Sequence, residues 1–180
     1  MWRVHRHIGM GGDQLVAAAA GDEVEERLGD ELRDASHDEF QRLRDECEPL
    51  EGAHELCVEL KRRGHVVVLA SSSNEDDLDH FLDLLRVRDV VDGWTTADDV
   101  ERTKPHPDVI EAALGQAGTR EAAMLGDSRW DVEAAANAGL ETVCVITGGW
   151  SEQELLDVGA ASVFRSLVEL REGLDGTPLR

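Results

Sequence analysis

The chain has 180 residues, with 39 acidic against 18 basic side chains and a formal net charge of −21. That length suits one domain, or a core with a small appendage, and a hydrophobic content of 41% can build a sizeable core. The charge argues against nucleic acid and anionic membrane surfaces as partners, because both need Lys and Arg to neutralise phosphate. Three cysteines without CxxC spacing argue against a structural zinc site or a disulfide framework. No run is long and apolar enough for a transmembrane helix. The first residues, Met1 to His7, lack the apolar stretch of a secretory signal, so a reducing, cytoplasmic setting is expected.

Residues 1–50 read as helical and polar, with no period-two alternation that would give strands. Ile8-Gly-Met-Gly-Gly12 is a flexible turn, and Asp13 is a candidate cap for a helix through Leu15 to Ala20 that Gly21 ends. Two charged helices are predicted next, over 22–28 and 30–46. Pro49 and Gly52 mark a hinge. From residue 51 the pattern changes. Ala53, Leu56, Cys57 and Leu60 form an amphipathic stripe ended by Gly64, and Val66-Val-Val-Leu-Ala70 is an apolar run suited to a parallel strand buried on both faces. Asn74 caps a helix carrying Leu78, Phe81, Leu82 and Leu85. Val90-Val91 and Trp94 suggest a short segment, and Pro105 and Pro107 open a helix through Leu114. A strand at 122–126, a helix to Gly139, a strand at 142–146, a helix at 151–158, a strand at 162–164 and a helix at 166–173 complete the alternation, with Gly173 to Arg180 as a loose tail. Strands alternating with helices predict an α/β, Rossmann-like parallel sheet covered on both faces. The expected division is a helical unit over 1–50, the α/β core over 51–173 and a tail over 174–180.

Three places carry candidate chemistry, each after a strand or in a connecting loop. Ser71-Ser72-Ser-Asn74 offers hydroxyls and open helix-start amides, an anion cradle. Lys104, one of only two lysines, sits in a loop before a proline-started helix and can act as a point charge toward phosphate. Asp127 and Asp131 flank the start of the helix after strand 122–126, with Ser128 as its N-cap. Two acids converging at a strand's carboxyl end suit a hard cation such as Mg²⁺.

That ordered set resembles the haloacid dehalogenase superfamily of phosphatases and phosphomutases. Val66-Val-Val-Leu-Ala-Ser71, Thr103-Lys104-Pro-His-Pro-Asp108 and Leu125-Gly-Asp127-Ser-Arg-Trp-Asp131 are similar to its second, third and fourth motifs. The helical start, with His7-Ile-Gly-Met10 and Gly12, is similar to the cap of phosphoglycolate phosphatase-like members. The resemblance implies a Mg²⁺-dependent phosphatase of small phosphorylated metabolites. In it Ser71, with Ser72, binds the transferring phosphoryl group and Lys104 balances its charge. Asp127 ligates Mg²⁺ with Asp131 in support, and the loop at Gly9 to Gly12 faces the site from the cap, with Gly11 and Gly12 as substrate-binding positions. A non-catalytic phosphate-binding module is one alternative. Haloacid dehalogenation or phosphomutase chemistry is another, and the acidic pair weighs against the metal-free dehalogenases.

In one respect the chain departs from that family. Members begin with a strand carrying Asp-x-Asp-Gly-Thr, whose first aspartate is the covalent nucleophile. No such motif precedes residue 51, and Asp175-Gly-Thr177 lacks both a preceding apolar strand and the upstream aspartate. The expectation is therefore a chain without the family's central first strand, impaired in turnover, with two apolar strand edges left exposed between 66–70 and 122–126.

Overall fold

The apolar runs become short parallel strands, each followed by a helix, in the computed structural model, which describes residues 2–180. The N-terminal part holds α1 (Trp2–His5), α2 (Gly12–Ala20) and α3 (Asp22–Leu43). The remainder runs α4 (Ala53–Arg62), β1 (Val68–Ala70), α5 (Glu75–Leu85), β2 (Gly93–Thr95), α6 (Asp108–Ala117), β3 (Ala123–Gly126), α7 (Arg129–Asn137), β4 (Glu141–Val145), α8 (Glu152–Asp157), β5 (Ser162–Phe164) and α9 (Leu167–Gly173). The α/β class with parallel pairing is as the alternation implies. Among the described residues no helix is long and apolar enough to cross a membrane.

β4 shows why the sheet is buried on both faces. Val143 and Val145 pack with Leu56 of α4 and Leu170 of α9 on one side. Between them Cys144 points the other way, into a cluster with Val132 of α7, Trp150 and Leu155 of α8. Alternate side chains thus enter opposite layers, which is the period of an extended chain. On that second side α6 and α7 interlock through Val109, Ile110, Ala134 and Ala135, all buried. The run of alanines in α7 has a packing reason: small side chains let the helix lie close on β3 and β4.

The strands form two separate groups. β1 pairs with β2 in parallel, Val68 opposite Gly93. β3 pairs with β4, Ala123 opposite Glu141, and β4 with β5, Val143 opposite Ser162. β1 and β3 are not hydrogen-bonded to each other. Between them runs a cavity of about 1340 Å³, walled by both strands, by Leu56 and Leu60 of α4 and by Phe81 of α5. The two apolar strand edges anticipated from the sequence therefore face one another across this groove.

Three expectations fail locally. The strand predicted from Val66 starts only at Val68, because the amide of Val67 donates to the Asp92 carboxylate at 2.7 Å instead of entering a ladder. Lys61 holds the same carboxylate at 2.6 Å. The two helices predicted over 22–28 and 30–46 are one continuous α3, followed by a single 3₁₀ turn at Arg44–Glu46. Gly29, where the break was expected, is buried beneath the Glu25 and Arg33 side chains, which meet over it at 2.8 Å. A pair closing over the gap left by glycine offsets the propensity cost of roughly 1 kcal/mol. Lastly, the segment after Gly173 is not loose. Leu174 is fully buried, Thr177 is 2% exposed and Leu179 9%, and both leucines join the α4–α9 cluster.

Candidate active site

The site begins where β3 stops. Gly126 is its last residue, and a Cβ there would come within 2.6 Å of the Asp131 carboxyl carbon. Glycine is thus required for the next turn to fold back over the strand end. Ser128 then caps α7, its hydroxyl accepting from the Asp131 amide at 3.3 Å. Asp131 replies in the reciprocal arrangement of a capping box. Its Oδ2 accepts from the amides of Ser128 at 3.0 Å and Asp127 at 3.1 Å and from the Ser128 hydroxyl at 2.7 Å. Its Oδ1 accepts from Lys104 Nζ at 2.9 Å. Asp131 is 4% exposed and its Lys104 partner is partly buried. The further donors from its own turn help make burial of this carboxylate tolerable.

Asp127 differs. It is partly buried, and the Thr147 hydroxyl donates to its Oδ2 at 2.9 Å. Burial raises its carboxyl above the usual range, and nearby Asp131 adds to that, while the Thr147 hydrogen bond and Lys104 oppose it. At Asp131 burial also pushes upward, but Lys104, Ser128 and the Asp127 amide outweigh it and leave the group below its ordinary value. The two carboxyls are driven apart, a pattern concentrated at functional sites.

The opposite wall is the serine turn after β1. Ser71 Oγ accepts from the Ser73 amide at 3.0 Å, and Asn74 caps α5 by accepting from the Asp77 amide at 2.9 Å. Ser72 Oγ is buried without a protein partner. Ser71, Ser72 and Lys104 all line the groove, together with Gly9 and Met10 from the N-terminal segment. Gly9 has φ +101° and lies against the core, where a Cβ would fall 2.6 Å from Ser128 Oγ.

The expected residues therefore fall into three groups. Ser71, Ser72 and Lys104 share one cavity, Asp131 is joined to Lys104, and Asp127 is the adjacent carboxylate whose Oδ2 meets Thr147. Of the two glycines expected to face the site, Gly11 donates its amide to the Lys104 carbonyl at 3.3 Å, outside the cavity lining. Gly12 turns toward α3, its carbonyl accepting from Arg33 at 3.4 Å. The loop positions that reach the cavity are Gly9 and Met10. Sequence reading passed over Thr147, although its place directly after β4, at the carboxyl end of the sheet, was the available signal.

Oxygen donors in this turn fit a hard cation in kind but not in number. Asp131 is committed to Lys104 and the amides, and among the described residues no group of three His, Cys, Asp or Glu side chains converges. Mg²⁺ is commonly held by one or two carboxylates together with substrate phosphate oxygens and water, and Asp127 alone is a carboxylate of this turn not committed to an ion pair.

A raised carboxyl is a stability cost at neutral pH. Its protonated form favours folding below the unfolded-state value of about 3.9, and that gain is lost as pH rises through the raised folded value. Asp127→Asn in metal-free buffer is therefore expected to raise the unfolding midpoint at pH 7, with the difference vanishing toward pH 3. Urea titrations at both pH values check this; equal midpoints at pH 7 would contradict the assignment.

Comparison with known proteins gives this geometry a family. The haloacid dehalogenase-like hydrolase family matches residues 2–145. The chain belongs to the haloacid dehalogenase-like hydrolases. Among curated relatives, pyrophosphatase PpaX of Bacillus cereus (strain AH820) is 33% identical over 122 residues, which is 67% of this chain and 55% of that protein. PpaX of strain B4264 is 34% identical over 115 residues, 63% of this chain and 52% of the relative. The chain thus spans about half the length of the curated relatives it matches. A hydrolase from Pseudomonas syringae superposes with a TM-score of 0.89 at 28% identity, covering 97% of this chain and 82% of that one. A haloacid dehalogenase-family hydrolase from Deinococcus radiodurans R1, crystallised with phosphate and sodium, gives 0.69 at 25% identity over 81% of this chain and 67% of that one. A putative β-phosphoglucomutase from Bacteroides vulgatus, 23% identical with a TM-score of 0.78 over 97% of this chain and 72% of that one, shares the fold.

Proposed function

We propose that this haloacid dehalogenase-like chain carries the cap and phosphate-binding half of a Mg²⁺-dependent phosphatase acting on small phosphorylated metabolites, phosphoglycolate phosphatase-like. Residues 1–50 are the partial cap and 51–173 the core. The observation that supports it most is the Lys104–Asp131 pair at 2.9 Å, set on the groove that the Ser71–Ser73 turn also lines. An ammonium anchored by a buried carboxylate is held in one place, so a phosphoryl oxygen meets a preorganised donor. The Ser72 hydroxyl, buried without a protein partner, and the Ser71 turn provide donors for the remaining oxygens. Mg²⁺ held in part by Asp127 would neutralise phosphoryl charge. Asp131 supports the site through Lys104 and the turn amides.

The chemical step needs a nucleophile in line with the phosphoryl group. The carboxylates lining the groove are Glu121 and Glu141, which precede β3 and open β4, at the amino ends of the strands. We therefore assign the attacking aspartate to a strand seated in the groove between β1 and β3, the place of the family's first strand. Without it the chain binds phosphate and turns nothing over, which is also what a non-catalytic phosphate-binding module would do. Pyrophosphate, named for the PpaX relatives, joins the monoesters as a substrate to test.

Calorimetric titration of the 180-residue chain with orthophosphate and Mg²⁺ tests the binding half. Lys104→Ala is expected to weaken binding on the order of 10–100-fold, as for loss of a charge-assisted hydrogen bond of about 1.5–3 kcal/mol. Unchanged affinity in Lys104→Ala would overturn the site.

A further inference from the structure

We propose that Asp13 is a positioning residue for Lys104: a carboxylate from the N-terminal helical segment that fixes the loop carrying the phosphate-binding ammonium. This rests on the reading of Lys104 given above.

Asp13 was expected to cap α2, and it does not. Gly11 occupies the N-cap position and makes no side-chain cap bond. Instead the Asp13 carboxylate reaches across 90 positions of sequence to Thr103, the neighbour of Lys104. Oδ2 accepts from the Thr103 amide at 3.1 Å, and Oδ1 accepts from the Thr103 hydroxyl. One residue before α2, the Gly11 amide donates to the Lys104 carbonyl at 3.3 Å. Three hydrogen bonds from the start of α2 and its N-cap thus seize two consecutive residues, on the amide and hydroxyl of Thr103 and the carbonyl of Lys104. Thr103 is 6% exposed, so its amide and hydroxyl have little access to water, and leaving them without acceptors is costly. Burial pushes the Asp13 carboxyl up, yet the hydrogen bonds from Thr103 and Gln14 more than compensate and leave it ionised more readily than usual.

The core grips the other side of the same loop. The Asn137 side chain of α7 donates to the Pro105 carbonyl at 3.2 Å, and Arg102 meets Asp108 at 3.3 Å. Lys104 then extends to Asp131. The ammonium is therefore fixed at its tip by the core and at its backbone by both the core and the N-terminal segment. Removing Asp13 frees the Thr103 end of this loop and leaves its backbone to the Gly11 and Asn137 bonds, so the ammonium is held less firmly. A geometric loosening of about 1 Å is enough to weaken a positioned group's action.

The composition makes a direct test possible. The chain has two lysines, so protein labelled with ¹⁵Nζ,¹³Cε-lysine gives two ammonium signals, and Lys61, paired with Asp92 at 2.6 Å, is an internal reference. In Asp13→Ala the Lys104 signal is expected to shift and broaden while that of Lys61 stays in place. Orthophosphate affinity in the presence of Mg²⁺ should fall on the order of 5-fold, the scale of one hydrogen bond in a positioned set. Asp13→Asn, which keeps an acceptor of the same size, should fall between Ala and wild type; it replaces Asp13→Ala should the latter fail to fold. Thr103→Ser should behave as wild type because the hydroxyl and amide remain. A purely structural role would lower the unfolding midpoint with the Lys104 signal unmoved, and that result overturns the proposal. Loss of the Lys104 perturbation in both Asp13 variants does so too. The two readings fail separately: unchanged phosphate affinity in Lys104→Ala removes the phosphate site, while the ligand-free Lys104 signal still decides the role of Asp13.

Discussion

Asp131→Ala is expected to destabilise the chain by about 3–5 kcal/mol, the range for breaking a buried ion pair by removing one partner. The substitution leaves the Lys104 ammonium, whose side chain is 14% exposed, without its counter-ion. It also strips the acceptor from the Asp127 and Ser128 amides and the Ser128 hydroxyl, and removes one half of the α7 capping box. At about 2–4 °C per kcal/mol for a chain of this size, the thermal midpoint should drop by about 6–20 °C. Lys104→Met should cost less, because Asp131 keeps three donors from its own turn. Urea unfolding of both variants followed by circular dichroism tests the ordering. A larger loss in Lys104→Met than in Asp131→Ala would mean that the charge pair, and not the turn, carries the stability. Acid adds a second check. Asp131 lies below its ordinary value, so its contribution is present above the unfolded-state value of about 3.9 and is lost as pH falls through the depressed folded value.

The second large effect concerns the groove between β1 and β3. Fusing an apolar strand that ends in Asp-x-Asp-Gly-Thr ahead of residue 1 should seat that strand between the two edges, hydrogen-bonded to both. Burying two or three large apolar side chains at about 1.5–3 kcal/mol each should raise the thermal midpoint by roughly 6–36 °C. Turnover of para-nitrophenyl phosphate should appear at the same time and vanish with EDTA. A version with the first aspartate replaced by asparagine should keep the stability and lose the turnover. Since phosphate-monoester hydrolysis needs acceleration of up to about 10²¹-fold, water cannot stand in for that group. An added strand that stays protease-sensitive, with no gain in midpoint, would refute the assignment of the groove. Turnover by the 180-residue chain itself would refute the assignment of the nucleophile.

Much of this architecture is legible before any coordinates. The apolar runs at Val66 to Ala70 and Thr142 to Ile146 read as strands and contain β1 and most of β4, with Val66 and Ile146 left outside them, and Ser128 and Asn74 cap the helices that their chemistry predicts. The motif segments come together because each follows a strand or precedes a helix at the carboxyl ends of the parallel strands, and there sequence order becomes spatial proximity. What stayed hidden depends on partners remote in sequence. Asp13 has the local credentials of a cap, yet Thr103 outbids its own helix. Nothing within α3 announces that Glu25 and Arg33 would carry the helix across Gly29. Leu174 and Leu179 lie in a segment that looks like an end, and only the exposed apolar faces of α4 and α9 make it core. Asp131 reads as a metal ligand by spacing, and the amides of its own turn claim it together with Lys104.

The open edges of β1 and β3 also bear on how copies of this molecule behave toward one another. An unpaired strand edge is a template for a neighbour's backbone, and here two of them flank an apolar cleft. Any second copy approaching it arrives with the same charge of −21, so like repels like before the ladders can zip. That shield reaches only about 8 Å at physiological ionic strength. Crowding by salt or by oppositely charged polymers therefore strips away the barrier that keeps the cleft from recruiting its own kind.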